Sequence, residues 1–392
     1  YQKKQSEIYL KAFEWRFEFP EVLNEDGSFE GFDIVIGNPP YISIQDLNPK
    51  LKEYYKKNHK HFYLRYDIFA CFIEKALSLI NSKGFLSFII PSVFLKKYML
   101  YNTNFSNIDL LKDGVFNKAV VPTMIFVLKK EHNENNKILV SKNKLKNNYL
   151  IKQDYLKDTE NNVFNLELTE RNYNFLKKIE KNTIKLGEIS TVSNGINTGN
   201  LKKYMSKKYK NYYIKILKGR SIKKWKFNFE NFYIKKDFSD YVSLGDVKVF
   251  QEEKLMMKRI GKKFEVCYDN SGIAALHTVH TIRLTNKKFD IKYILGLLNS
   301  KFMSYIFRLK VPLKGDIFPE FRVFDLNNQV VIKDISRKEQ SKIIKFVDLI
   351  IKEKDENKNE NTKNLENEID KIIYKLYDLT KNEIKIIENK TI

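Results

Sequence analysis

The sequence predicts an α/β protein: a partial doubly wound sheet, followed by a mixed α+β, β-rich domain and a set of C-terminal helices. Three observations carry this. Two apolar runs flank a stretch of helical periodicity within about 60 residues, an order that implies a βαβ crossover. Short alternating runs punctuated by Asn-Gly, Gly-Asn and Gly-Arg pairs then take over after Lys185, as in β-rich folds. Finally, Ser336 with Glu339 and Thr380 with Glu383 have the spacing of helix-initiating capping boxes.

Each element follows in order. Phe32-Asp-Ile-Val-Ile36 is a nearly continuous apolar run closed by Gly37 and two prolines, which reads as a buried parallel strand ending in a loop. Between Asp67 and Asn81, Ile68, Phe69, Phe72, Ala76, Leu77 and Ile80 recur at helical spacing, and Gly84 stands where a C-terminal cap is expected. Phe85 to Ile90 reads as a second buried strand, and Met124 to Leu128 as a further one. From about Glu131 to Asn162 the chain is polar, rich in Asn and Lys and without Pro or Gly, which suits a surface connection. Ile291 to Phe307 is an apolar helix candidate within the β-rich part. Ile343, Ile344, Val347 and Ile350 follow the first capping box, and Asp355 to Asn364, charged and poor in apolar residues, reads as a connector between helices. The helices Ile343 to Ile351 and Leu365 to Tyr377 are expected to pack on the β-rich domain or on each other. The expected organisation is 1–135, a connector over 136–184, a second domain over 185–335 and a helical tail over 336–392.

At 392 residues with 43% apolar and 14% aromatic content, the chain buries more than one core and excludes disorder throughout. Lys and Arg number 71 against 48 acidic residues, a formal charge of +23. That excess favours a polyanionic partner, nucleic acid first; it also suits a surface made soluble by lysine. Cys71 and Cys267 lie far apart in apolar surroundings and read as small core hydrophobes in a reducing, cytoplasmic setting. No stretch approaches the roughly 18 to 20 apolar residues of a membrane span.

The residues that carry chemistry are Asn38, Pro39, Pro40 and Tyr41, directly after the strand end where open α/β sheets place ligands. An adenine amine is a poor nucleophile because its lone pair is delocalised into the ring. The Asn38 side-chain oxygen and the Pro39 carbonyl can each accept one amine hydrogen, and the proline rings preorganise both acceptors. No titrating base is then required. Tyr41 offers a flat face on which a base turned out of the duplex stacks, at roughly 1 to 3 kcal/mol. The bland alternative is an Asn-Pro turn that merely ends a strand.

The tetrapeptide resembles the catalytic motif of amino-group methyltransferases. Phe13-Glu-Trp-Arg-Phe-Glu-Phe-Pro-Glu-Val-Leu23 followed by Gly31-Phe-Asp-Ile-Val-Ile-Gly-Asn-Pro-Pro-Tyr41 extends the likeness to gamma-class adenine-specific (N6) DNA methyltransferases of the type IIG restriction-modification kind. The likeness covers nearly the whole chain, more loosely in its second half. It implies that 1–135 is the C-terminal part of a methyltransferase sheet, that 185–335 is a target-recognition domain, and that S-adenosylmethionine is the cofactor. It further implies catalytic roles for Asn38, Pro39, Pro40 and Tyr41, and cofactor binding by Asp33 and Phe72. Phe72 lies in Tyr66-Asp-Ile-Phe-Ala-Cys-Phe-Ile-Glu-Lys75, similar to a family helix whose aromatic lines the cofactor's adenine pocket. Val115-Phe-Asn-Lys-Ala-Val-Val-Pro-Thr123 is similar to a later loop, and by that likeness Phe116 packs on the flipped base opposite the tyrosine. One departure stands out: no glycine-rich turn precedes Phe32, and Asn194-Gly-Ile-Asn-Thr-Gly199 lies too late to replace it. With Tyr1 in place of a Met, the expectation is that the missing methyltransferase segment was lost by truncation or lies on a preceding chain.

Residues 201–238 hold 12 Lys and Arg220 against Glu230 and Asp237, interleaved with ten aromatics. Cations that hold phosphates beside planar side chains suit a reader of double-stranded DNA. The candidates are Lys218, Arg220, Lys223, Lys224, Trp225, Lys258 and Arg259, and Leu217-Lys-Gly-Arg-Ser-Ile-Lys-Lys-Trp225 resembles the opening of the family's recognition domain. His277 and His280, with only Cys267 nearby, fall short of a zinc signature, so no metal is expected. Two other readings remain open: a DNA-binding specificity fragment without autonomous catalysis, and a protein methyltransferase acting on glutamine amides. No paired carboxylates with a lysine point to a nuclease within these residues.

Overall fold

Alternating and continuous apolar runs condense around two cores in the computed structural model, which describes residues 13, 18–59, 67–91, 97–111, 123–142, 146–157, 165–311, 319–356 and 361–389. The chain divides into two compact units, Tyr1–Tyr173 and Asn174–Ile392.

The first unit is built on a six-stranded mixed sheet. Its strands are β1 (Phe32–Gly37), β2 (Ile80–Pro91), β3 (Asn104–Leu110), β4 (Thr123–Lys129), β5 (Lys137–Lys142) and β6 (Lys146–Lys152), in the spatial order β1-β2-β4-β3-β5-β6. β1 and β2 pair in parallel. Two helices, α1 (Pro49–Asn58) and α2 (Phe69–Leu79), lie between them in sequence, which gives the expected βαβ crossover. The buried face of α2, with Phe69, Ile73, Ala76 and Leu77, packs on Leu86, Phe88 and Ile90 of β2 and on Phe126 and Leu128 of β4.

Three expectations need correction here. Gly84 does not cap the helix: α2 ends at Leu79 and β2 already runs through residue 84, where a Cβ would come within 2.8 Å of the Phe32 carbonyl. Among the described residues β1 ends the sheet, and Ile34 and Ile36 are exposed where burial was expected. The stretch expected as a surface connection supplies β5 and β6, whose Ile138, Val140 and Ile151 are buried in the core. The many Lys and Asn residues around them lower the apolar content of the stretch.

The second unit holds two four-stranded sheets. Before them comes β7 (Thr183–Lys185), and then β8 (Ser190–Asn194), β9 (Met205–Ser206), β10 (Tyr213–Leu217), β11 (Tyr233–Lys235), β12 (Lys254–Lys258), β13 (Val266–Asp269), β14 (Ala274–Ala275) and β15 (Val279–Leu284). The sheets run β14-β10-β11-β9 and β13-β12-β15-β8. They join closely at Gly195, where a Cβ would lie 2.3 Å from the Ala275 carbonyl, so no larger residue fits. The single apolar helix expected over 291–307 is two, α3 (Ile291–Leu298) and α4 (Lys301–Lys310), because the Ser300 hydroxyl caps the second by accepting from Met303 N. A short strand, β16 (Val331–Lys333), pairs with β7.

Helices α5 (Arg337–Glu356), α6 (Lys363–Leu376) and α7 (Lys381–Asn389) close the chain. Both capping boxes form: Ser336 N and Thr380 N donate to Glu339 and Glu383, and the glutamate amides return bonds of 3.3 Å to the two hydroxyls. The tail packs on the β-rich domain's helices and on itself. At Gly296 of α3 a Cβ would come within 2.5 Å of Ile343 and 3.2 Å of Val347, with Ile369 of α6 beside them. Among the described residues no helix is long and apolar enough to cross a membrane.

Candidate active site and nucleic-acid interface

Pairing of Gly37 with Phe88 ends β1 level with the middle of β2. The chain then leaves as Asn38-Pro39-Pro40-Tyr41 from the strand's carboxyl end, since prolines cannot extend a ladder. The Asn38 side chain is exposed, with no hydrogen-bond partner among the described residues, whereas Pro39 is buried and fixes the backbone beside it. Tyr41 is half-buried: its hydroxyl donates to the Ile89 carbonyl at 2.9 Å, and its ring meets Phe69 edge-on at 6.1 Å. Burial raises the phenol above its ordinary range, so it remains a protonated donor. The following residues are stitched to the start of α2, with Ile68 N donating to the Ile42 carbonyl at 2.9 Å and Ser43 bridged to Asp67. Burial, then the nearby Asp46, raises the Asp67 carboxyl above its usual value. A short, stiff loop with one uncommitted amide at its head is the result.

Phe72 lies on α2 one turn beyond Phe69, and 41% of it is exposed while Phe69, Cys71 and Ile73 are buried. The ring lies on the exposed stripe of the helix, in line with the exposed Lys75 and Ser78. Asp33 does not fit its expected role. It sits at the amino end of β1 and accepts from the Asn81 amide at 2.8 Å, about 16 Å along the strand from Asn38 at a rise of ~3.3 Å per residue. Phe116 lies outside the described residues. Of the two residues expected to hold S-adenosylmethionine, Phe72 thus presents an exposed ring and Asp33 is engaged by Asn81.

In the second unit, β10 and β11 pair antiparallel, which places Lys218, just beyond β10, against Phe232, just before β11. The Lys218 ammonium stands 3.6 Å from the centre of that ring. Arg220 is exposed and grips Glu230 through two bonds of 3.2 and 2.6 Å. Lys223 is exposed at the head of a tight turn closed by its N–H donating to the Lys226 carbonyl at 2.9 Å. Lys224 reaches Glu366 of α6. Trp225, expected to face DNA, is only 3% exposed and sits at φ +75° with its N–H on the Val266 carbonyl, so it anchors the turn from within. Lys258 is held by both oxygens of Glu265 at 2.8 Å, and Arg259 by Glu320 at 2.6 Å. Thus Lys218, Arg220 and Lys223 gather on one hairpin, while Lys258 and Arg259 are engaged with carboxylates on the other sheet.

Sequence reasoning missed Lys207, whose ammonium is 5.8 Å from the Phe232 ring centre, and Phe232 itself. The polar residues Asn228 and Asn231 between two alternating runs signal a hairpin, yet only its register brings these side chains together. His280 lies on β15, buried, with Nε2 donating to the Phe321 carbonyl at 2.6 Å, and both cysteines are buried thiols.

Two stretches of the chain are similar to a restriction-modification methylase domain and to a specificity domain. Residues 2–120 match the family described as Eco57I restriction-modification methylase, and residues 214–329 match the TaqI-like C-terminal specificity domain. Among curated proteins, the chain is 27% identical over 401 residues to RM.MjaORFECS2P of Methanocaldococcus jannaschii, a candidate type II restriction enzyme and methyltransferase, covering 94% of this chain and 32% of that one. It is 30% identical over 200 residues to the type II restriction enzyme and methyltransferase RM.Eco57I of Escherichia coli, covering 46% of this chain and 20% of that one. The chain thus spans a third or less of these relatives. The type IIL restriction-modification enzyme MmeI, solved in complex with DNA, shares the fold at a TM-score of 0.58 and 12% identity, over 90% of this chain and 56% of that chain.

Proposed function

We propose that this chain forms part of a site-specific DNA methyltransferase of a restriction-modification system, which transfers the methyl group of S-adenosylmethionine to the exocyclic amine of an adenine turned out of double-stranded DNA. The observation that carries the proposal is the stiff Asn38-Pro39-Pro40-Tyr41 corner at the carboxyl end of β1, with the Asn38 amide exposed and uncommitted among the described residues. S-adenosylmethionine supplies an electrophilic methyl carbon on a sulfonium. The Asn38 oxygen and the Pro39 carbonyl accept the two amine hydrogens, which turns the nitrogen lone pair out of conjugation and aims it at that carbon. The Tyr41 ring, held by Ile89 and Phe69, stacks on the base and offsets part of the cost of flipping. Phe72 supports the cofactor's adenine. The second unit reads the duplex and holds it through its basic hairpin.

The test uses the full-length protein that contains this chain, labelled S-adenosylmethionine and unmodified genomic DNA, with digestion to nucleosides. Label in N6-methyladenine is expected, and Asn38→Ala should lower the rate by about 100- to 1,000-fold, as loss of one preorganised polar group does, without weakening DNA binding. Label on cytosine or on protein glutamine, or an unimpaired Asn38→Ala variant, overturns the proposal.

A further inference from the structure

We infer that Lys207, Lys218 and Arg220 form a seat for a phosphodiester oxyanion of the DNA backbone, an assignment that rests on the DNA reading above and gives this hairpin a positioning role rather than a base-reading one. The three cationic groups converge on one ring. From the centre of Phe232, the Lys218 ammonium lies at 3.6 Å, the Arg220 guanidinium carbon at 5.5 Å and the Lys207 ammonium at 5.8 Å. Phe232 is 4% exposed and belongs to the core of its sheet, so the ring is a fixed floor.

The surrounding bonds make the seat rigid. Ile216 N donates to the Phe232 carbonyl at 3.0 Å, which locks the end of β10 to the start of β11. Gly219 N donates to the Thr278 hydroxyl at 3.0 Å, and a Cβ at Gly219 would meet the Thr278 carbonyl at 2.8 Å. The turn carrying Lys218 and Arg220 is therefore pressed onto its neighbour and cannot swing away.

The charges do not balance. The one carboxylate at the cluster, Glu230, takes two bonds from Arg220 and a third from the Ser221 hydroxyl at 2.8 Å. Lys207 and Lys218 make no ion pair within 4 Å among the described residues. The ring's negative face offsets part of the mutual repulsion. Burial, then Arg220 and, more weakly, Lys207 hold the Lys218 ammonium below the usual lysine range against the opposing pull of Glu230, as expected where three cations share one carboxylate. An oxyanion between them removes that repulsion.

Geometry also selects the kind of contact. Glu230 occupies the Nε–Nη2 edge of Arg220, which leaves Nη1 and the second Nη2 proton of a side chain that is 65% exposed, while Lys207 and Lys218 offer point charges without the fork that reads a guanine edge. Such donors suit a phosphate oxygen and carry no sequence information.

The test is duplex binding by the full-length protein, followed by fluorescence anisotropy between 50 and 200 mM salt on two duplexes of unrelated sequence. Lys218→Gln and Lys207→Gln should each reduce the slope of log affinity against log salt by about 1, so that each variant loses about three- to fourfold less affinity than wild type across that window. The ratio of affinities for the two duplexes should stay unchanged. Lys352→Gln, an exposed lysine on α5, should leave the slope as in wild type, and unchanged unfolding midpoints establish that the variants fold. Unaltered slopes in Lys218→Gln and Lys207→Gln overturn the seat. A changed ratio between duplexes moves the cluster to base reading and overturns it as a backbone contact. Displacement of DNA by millimolar inorganic phosphate in wild type but not in the variants assigns the seat to small anions instead. A wild-type protein that binds neither duplex at 50 mM salt sinks the DNA reading itself, an outcome distinct from all the others.

Discussion

Two roles of Tyr41, one observed and one proposed, separate by substitution. Its hydroxyl fixes the ring through the Ile89 carbonyl, while the proposal gives the ring the stacking on a base. Tyr41→Phe removes a bond worth about 0.5 to 1.5 kcal/mol and keeps the ring, so single-turnover methyl transfer should slow less than about tenfold. Tyr41→Ala also removes roughly 1 to 3 kcal/mol of stacking and should slow it markedly further; equal rates for the two variants would assign the role to the hydroxyl. His280 makes a different statement. Burial, the largest influence, holds its pKa below the ordinary value, opposed by its bond to Phe321, with Arg259 lowering it and Glu320 raising it. The unfolded chain takes up a proton as pH falls through about 6.5, whereas the folded imidazole resists. The folded state is thus fully favoured above that pH and loses stability below it. Between pH 7.5 and 5.0 the unfolding midpoint of wild type should fall more than that of His280→Gln, and parallel curves would remove His280 as the cause.

At the level of elements, the turn Lys223–Lys226 shows how a basic surface motif depends on burial. Trp225 adopts φ +75°, a strained conformation for a bulky residue, costing on the order of 1 to 3 kcal/mol. Its buried ring and the contact of Lys224 with Glu366 hold it there. Lys224→Met and Glu366→Gln should each destabilise the second unit, and a double-mutant cycle in urea should return a coupling of about 0.5 to 1 kcal/mol, since the pair is partly exposed. Zero coupling would mean that this ion pair adds nothing to the packing and to the Lys301–Asp370 contact that hold the tail helix. None of this was legible in the sequence, because a run of lysines around a tryptophan looks the same whether the ring points in or out. By contrast, α2 was legible from its 3.6-residue apolar period, and the capping boxes at Ser336 and Thr380 from their spacing alone. β5 and β6 were hidden for the opposite reason. Ile138, Val140 and Ile151 turn inward while Leu150 stands exposed, and Lys and Asn surround them, so neither composition nor a strict apolar alternation marks the strands. The proposed catalytic corner could be picked out because its four residues are consecutive; the inferred phosphate seat could not, because Lys207, Lys218 and Phe232 meet only through the fold.

For the molecule as a whole, the sheet of the first unit is covered on one side only among the described residues. Register places Ile34 beside Phe85 and Ile89 beside Ile125, and on this face Ile34 is 65% and Ile36 78% exposed. A contiguous apolar face beside an edge strand is a surface for self-association and dye binding. The isolated chain should therefore bind a hydrophobic dye in its native state and sediment with a concentration-dependent coefficient. Replacing both isoleucines by threonine keeps β-branching, hence strand propensity, while removing much of the apolar area. Dye fluorescence and association should both drop, and the unfolding free energy should stay within about 0.5 kcal/mol, as for exposed substitutions. A loss of the 2 kcal/mol or more that core truncations cost would mean that these side chains are packed rather than open, and the sheet would then be covered on both sides as fully wound folds are.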